Sequence, residues 1–198
     1  MKSYRSIEFF DTQFQKQVAQ GDFALNPFEL AALPFVRGRV LDLGCGIGNL
    51  AIEAARRGAS VTAVDASEAA IRRIQAAALA ENLSIEAVLA DAATYPILRQ
   101  FDSIVAIGLL MFFEREPALQ LLAAIQQQVA TGGIAVINVL ITGTTYLDMF
   151  EPDSYCLLEG SELEQRFQGW DMLLSRRDSF DAPGNTRKEF ATIVARKR

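Results

Sequence analysis

Three aspartates at the ends of apolar runs and three alternating glycines are the groups in this chain placed to do chemistry. From Val40 to Leu50 the sequence reads VLDLGCGIGNL: an apolar run into Asp42, then Gly44, Gly46 and Gly48 at every second position, with Cys45 enclosed. Glycine is required where the backbone takes a positive φ or must approach another group without a Cβ between them. A glycine-rich turn joining a strand to a helix N-terminus is where α/β proteins hold nucleotide-like ligands. A second apolar run, Val61–Val64, ends in Asp65-Ala66-Ser67, which sets a carboxylate where ribose hydroxyls can donate to it. A third, Ile85–Leu89, leads into Ala90-Asp91-Ala92. The loop and Asp65 together predict an adenosine-containing ligand. A helix N-cap is the structural alternative for Asp65, and an ordinary turn is the alternative for Asp91.

Glycine spacing separates two classes of such ligand. The dinucleotide fingerprint G-x-G-x-x-G would put its third glycine at position 49, which is Asn49; the glycine falls one residue earlier. The string D-x-G-x-G-x-G over Asp42–Gly48 resembles the loop of class I S-adenosylmethionine-dependent methyltransferases, and the resemblance runs over roughly residues 39–198. It implies that Asp42 and the backbone of Gly44, Cys45, Gly46 and Gly48 hold the methionine end of the cofactor. Asp65, followed by Ala66, would meet the ribose, and Asp91 with Ala92 the adenine. Phe101–Ile107 is then a buried fourth strand whose end at Ile107 lies beneath the cofactor. Thr131-Gly132-Gly133 resembles the family's turn into a fifth strand.

The chain contains no histidine, which removes the usual general base and every triad built on imidazole. In-line methyl transfer chiefly needs alignment and exclusion of water, and an anionic or soft nucleophile needs no base. The expected acceptor is therefore a tellurite- or selenite-like oxyanion, a thiol or a carboxylate. Gly108-Leu109-Leu110-Met111 replaces the Asx-Pro-Pro-aromatic signature of amino-methylating nucleic-acid enzymes. Within the superfamily the chain resembles the tellurite-resistance methyltransferases, through Leu110-Met111-Phe112, Glu159-Gly160, Gly169-Trp170, Phe190-Ala191-Thr192 and the aromatic segment Phe9–Phe14. That family's histidine–arginine pair has no counterpart in Asp178–Lys188. Arg187 is the nearest group to face an oxyanion and is the expected catalytic residue, with Arg176 and Arg177 as substitutes; a solvated hairpin arginine is the alternative for each. A cofactor-binding module without turnover and a nicotinamide-dependent oxidoreductase are the competing readings.

Stepping outward to the elements that must position these groups, strand-length apolar runs alternate with Ala/Leu-rich helical stretches. The expected strands lie near 39–43, 60–64, 85–89, 101–107 and 134–141, with helices near 48–57, 67–81 and 116–129. This alternation predicts a parallel sheet with helices on both faces, and the segments near 170–178 and 189–196 read as a β-hairpin. The resemblance implies a Rossmann-like three-layer α/β sandwich on a mostly parallel seven-stranded sheet whose last strand is antiparallel. Residues 1–38 read as a helical cap preceding a methyltransferase domain over 39–198, with Asn26-Pro27 opening a cap helix. Ser161–Glu164 has the form of a capping box. With 198 residues and a net charge of −5, the chain offers no basic face for nucleic acid and no apolar run that spans a membrane. Lacking a signal-like N-terminus, it is expected to be cytoplasmic and to act on a small molecule. Its oligomeric state is left open.

Overall fold

The computed structural model describes residues 5–152 and 154–198. Met1–Tyr4 of the expected cap, and the Phe9 side chain, lie outside that description. Seven strands form one sheet: β1 (Arg39–Leu43), β2 (Ser60–Asp65), β3 (Ile85–Leu89), β4 (Phe101–Ile107), β5 (Val129–Leu140), β6 (Asp171–Ala182) and β7 (Thr186–Arg196). They are ordered β3-β2-β1-β4-β5-β7-β6. The first five strands pair in parallel, whereas β7 runs antiparallel to both β5 and β6. Strand order reverses between β1 and β4, so a crevice opens beyond their carboxyl ends.

Helices α1 (Arg5–Gln20) and α2 (Pro27–Ala32) precede the sheet, and α3 (Asn49–Arg56), α4 (Glu68–Glu81), α5 (Arg115–Gln128) and α6 (Glu162–Arg166) cover its two faces. Ala32, Leu50, Ala54, Ile71 and Ile74 pack with Val40, Val61 and Val136 on one face. Leu121, Leu122, Ile125, Leu163 and Phe167 pack with Leu41, Ile104 and Ile137 on the other. The even and odd positions of each strand thus serve different layers, as a period of two requires. No helix is long and apolar enough to cross a membrane among the described residues.

Local signals act as their chemistry dictates in most places. The Asn26 side chain accepts from the Phe28 and Glu29 amides while the Glu29 carboxylate accepts from the Asn26 amide, a complete capping box on α2. The Ser67 hydroxyl accepts from the Ala70 amide and caps α4. Ser161 departs from expectation, since it makes no side-chain cap to α6. The Glu164 carboxylate is drawn instead to the Ser175 hydroxyl, 2.5 Å away, and Glu162 takes the backbone of Glu159 at 3.3 Å. The last hairpin also differs: β6 and β7 stay paired up to Ala182 and Thr186, leaving only Pro183–Asn185 as the turn. The paired strands thus run further into Asp178–Lys188 than the expected hairpin strands near 170–178 and 189–196.

Candidate active site

The crevice holds a cavity of about 440 Å³, lined from the carboxyl ends of β1 to β5 and the amino end of the antiparallel β7, and covered by α1 and α2. Among its lining residues are Asp42, Gly44, Cys45, Gly46, Asp65, Ala66, Asp91, Ala92 and Ile107. Gly48 is brought near but does not line it. It caps α3 at φ 76°, and a Cβ there would run into the Ile74 side chain, so its role is to let the loop pack on α4. Gly46 has φ 53°, and a Cβ there would sit 3.1 Å from the Phe14 ring.

Backbone hydrogen bonds hold the loop open. The amides of Gly44 and Cys45 both donate to the Val64 carbonyl, at 2.8 and 3.1 Å. The Gly46 amide donates to Asp65 Oδ2 and the Ser67 amide to Asp65 Oδ1, each at 2.8 Å. Asp65 thus ties the glycine loop to the β2–α4 turn. Burial raises its carboxyl pKa, while the Ser67, Gly46 and Ala66 amides pull it down. Each oxygen keeps a further lone pair for a ligand hydroxyl. The Arg73 guanidinium donates to the Ile47 carbonyl and lies 4.0 Å over the Phe23 ring, clamping the loop to the segment before α2.

Asp42 is different in kind. It is 4% exposed, and its carboxylate receives no hydrogen bond among the described residues. Desolvation first, then the nearby Glu29 and Asp65 carboxylates, pushes its pKa well up. A buried, unpartnered carboxylate beside a second carboxylate is a site for a cationic group. Burial also drives the Cys45 thiol well up, which removes it as a nucleophile. Asp91 accepts the Ala93 amide at 2.9 Å on Oδ1, so its carboxylate forms the expected turn and also faces the cavity.

Arg187 requires a correction. It does not line the cavity, its side chain is 59% exposed, and it sits 3.5 Å from the Glu189 carboxylate. The cause is strand phase: Arg187 pairs with Asp181 inside the β6–β7 ladder, so its side chain shares the outer face with Glu189. Lys188, one residue on, points to the cavity with Phe190. Arg176 is likewise occupied, by Asp178 at 2.8 Å, and does not line the cavity.

Phe10, Gln13 and Phe14 fall in the segment Phe9–Phe14 that carries the family resemblance, whereas the sequence reading did not place Gln17, Glu29, Asn138, Met149 or Lys188 at the site. On α1, Phe10, Gln13, Phe14 and Gln17 recur at helical spacing on the face turned to the cavity. Asp11 accepts from the Ser67 hydroxyl at 2.5 Å and anchors this helix beside the loop. Asn26 and Glu29 at the start of α2 also line it, and the Asn-Pro-x-Glu string was the visible signal. Asn138 interrupts the apolar run of β5 and is fully buried. The other end of the cavity is formed by Phe28, Met111, Phe112, Leu140, Met149 and Phe190.

Strand order, loop and carboxylates together define a class I methyltransferase architecture. Residues 40–133 match a family model described as a methyltransferase domain. In sequence and fold the chain is similar to class I S-adenosylmethionine-dependent methyltransferases. More particularly, it is 31% identical over 166 residues to the probable S-adenosyl-L-methionine-dependent methyltransferase TehB of Haemophilus influenzae, covering 81% of this chain and 57% of that protein. It therefore spans under two thirds of the relative's length. The crystal structure of TehB from Haemophilus influenzae superposes with a TM-score of 0.77 at 24% identity, covering 92% of this chain and 65% of that one. A Burkholderia thailandensis 1,6-didemethyltoxoflavin-N1-methyltransferase with bound S-adenosylhomocysteine shares the fold at TM-score 0.67 and 19% identity, over 100% of this chain and 91% of that one.

The residues present fit S-adenosylmethionine. Asp42 is a buried acceptor short of a donor, the Gly46 backbone leaves room that a Cβ would take, and Asp65 retains acceptor capacity at the end of β2.

Proposed function

We propose that this chain transfers a methyl group from S-adenosylmethionine to a small soft or anionic acceptor, of the oxyanion, thiol or carboxylate class. The observation that carries this reading is a single cavity with two chemically distinct ends. One end gathers Asp42, Glu29 and Asp65 around the glycine loop; the other is aromatic and aliphatic, with Lys188 the one cation lining the cavity among the described residues. When bound, the cofactor supplies a methyl carbon made electrophilic by its sulfonium. In this reading Asp42, with Glu29 nearby, holds the methionine ammonium. Asp65 orients the ribose, Asp91 and Ala92 meet the adenine, and Ile107 forms the floor.

The chain's remaining work is alignment and drying. Phe10 lies edge-on to Phe112 at 5.1 Å, so rings from α1 and from the segment after β4 close the region where acceptor and methyl carbon meet, with Phe150 packed behind Phe112 at 5.2 Å. Residues 1–38 act in this reading as a cap, supported by the lining side chains of α1 and α2. Such enclosure favours displacement by positioning the reactants and excluding water. No residue is required to remove a proton from an acceptor that is already an anion.

Release of S-adenosylhomocysteine by the purified protein tests this, offered tellurite or selenite with a reducing thiol and, in parallel, small thiols and carboxylates. Turnover on any of these supports the reading. Tight cofactor binding with no product on the whole panel would instead identify a binding module.

A further inference from the structure

Lys188 is an unusual lysine. It lies on β7 with Phe190 and Thr192 at every second position, and it lines the apolar end of the cavity. Its ammonium is 4.6 Å from the centre of the Tyr146 ring, and it has no carboxylate partner among the described residues. Burial lowers its pKa, as expected of a cation deprived of water. Asn138 stands on the neighbouring strand, paired with Thr192 in register. Its amide nitrogen donates to the Thr192 hydroxyl at 2.8 Å, and its amide oxygen is buried with no partner. An unpaired cation and a half-satisfied buried amide in one cavity are two independent signs of a missing polar ligand.

The rest of the lining limits what that ligand is. Four carboxylates, Glu29, Asp42, Asp65 and Asp91, line the same cavity, so one lysine faces an otherwise acidic site. One lysine matches one negative charge in a low-dielectric enclosure, which a singly protonated inorganic oxyanion also carries. Phe28, Met111, Met149 and Phe190 offer apolar surface that such an ion does not use.

We propose that the acceptor is a small monoanionic organic molecule with an apolar body, its charge met by Lys188 and its polar group reached by the free end of the Asn138 amide. This rests on the methyl-transfer reading above. A lone pair of the acceptor forms the new bond to the methyl carbon as the carbon–sulfur pair returns to sulfur. A carboxylate or thiolate then needs no proton acceptor.

The test compares phenylacetate and butanoate, whose anionic oxygen is itself the nucleophile, with the neutral 1-propanethiol, with tellurite and selenite as inorganic arms. S-adenosylhomocysteine release is measured for the wild type, Lys188→Met and Lys188→Arg, and S-adenosylhomocysteine affinity is measured separately by calorimetry. The wild type is expected to prefer an organic anion over the neutral thiol at least about tenfold in kcat/KM. Lys188→Met should raise KM for the anion about 10- to 100-fold, the weight of one charge-assisted contact. Cofactor-product affinity should be unchanged, and Lys188→Arg should restore most of the preference. Preference retained in Lys188→Met, turnover confined to the inorganic arms, or no turnover on the panel while S-adenosylhomocysteine binds each overturns the acceptor assignment and leaves the cofactor assignment standing. Failure of the wild type to bind S-adenosylhomocysteine removes the methyl-transfer reading itself.

Discussion

Replacing Asp42 with Asn should make the ligand-free protein more stable and its cofactor site weaker. Asp42 is 4% exposed, accepts no hydrogen bond among the described residues, and has the Glu29 and Asp65 carboxylates for company. The folded state therefore bears either a desolvated charge or the uptake of a proton. Asparagine keeps the shape and removes the ionisable group. Its amide is also short of partners, so the gain is the difference between burying a charge and burying an amide, about 1–2 kcal/mol. For a chain of 198 residues that corresponds to a rise in Tm of about 2–8 °C. Loss of the charge-assisted bond to the methionine ammonium should weaken S-adenosylmethionine binding by about 1.5–3 kcal/mol, roughly 10- to 150-fold in Kd. The pH dependence has a definite sign. Because the folded-state pKa is raised, wild type and variant should converge in stability below the unfolded carboxylate value of about 3.9. They should separate as pH rises above it, until the folded value is passed. Thermal melts from pH 3.5 to 8, with and without S-adenosylhomocysteine, and calorimetric titration at pH 7.5 would read both effects. A ligand-free Tm at or below wild type at pH 7.5, or undiminished cofactor affinity, would refute the role given to Asp42.

Gly46→Val should abolish cofactor binding in a folded protein. The position needs φ 53°, and its Cβ would meet the Phe14 ring; strain at such a site is on the order of 1–3 kcal/mol. A variant that titrates normally by calorimetry would move the site away from the loop. Arg187→Ala should change kcat/KM less than about threefold and stability by less than about 1 kcal/mol, since an exposed ion pair contributes little. A loss above tenfold in the S-adenosylhomocysteine release assay would return Arg187 to the reaction.

The cofactor end of the site was legible because its chemistry is local in sequence. Asp42, Asp65 and Asp91 each stand at or just past the end of a strand, and a parallel sheet brings such ends to one rim whatever the intervening helices do. The glycines between β1 and α3 then fix what can approach. The acceptor end was hidden for the opposite reason. Met111, Asn138, Met149, Lys188 and Phe190 come from separate elements, and each is of a type that ordinarily packs a core or meets solvent. Hairpin strands placed near 170–178 and 189–196 left Arg187 between them, with its facing undetermined. Once β6 and β7 pair up to Ala182 and Thr186, period two decides it, and a shift of one residue exchanges Arg187 for Lys188.

That exchange bears on how transfer can proceed without histidine. A sulfonium and an anionic acceptor each carry a charge that water stabilises, and both charges vanish as the new bond forms. Removing water therefore raises the reactants more than the transition state, in which charge is already dispersing. The cavity is arranged for this. Phe10 and Phe112 form an aromatic wall that Phe150 backs, and Met111 and Met149 fill the space beside it. In the proposed reading Asp42 and Glu29 stand where the cofactor's ammonium belongs, and the one lining cation among the described residues stands at the other end. Lys188 holds an anion without hydrating it, and an anion held dry needs no base to become a nucleophile.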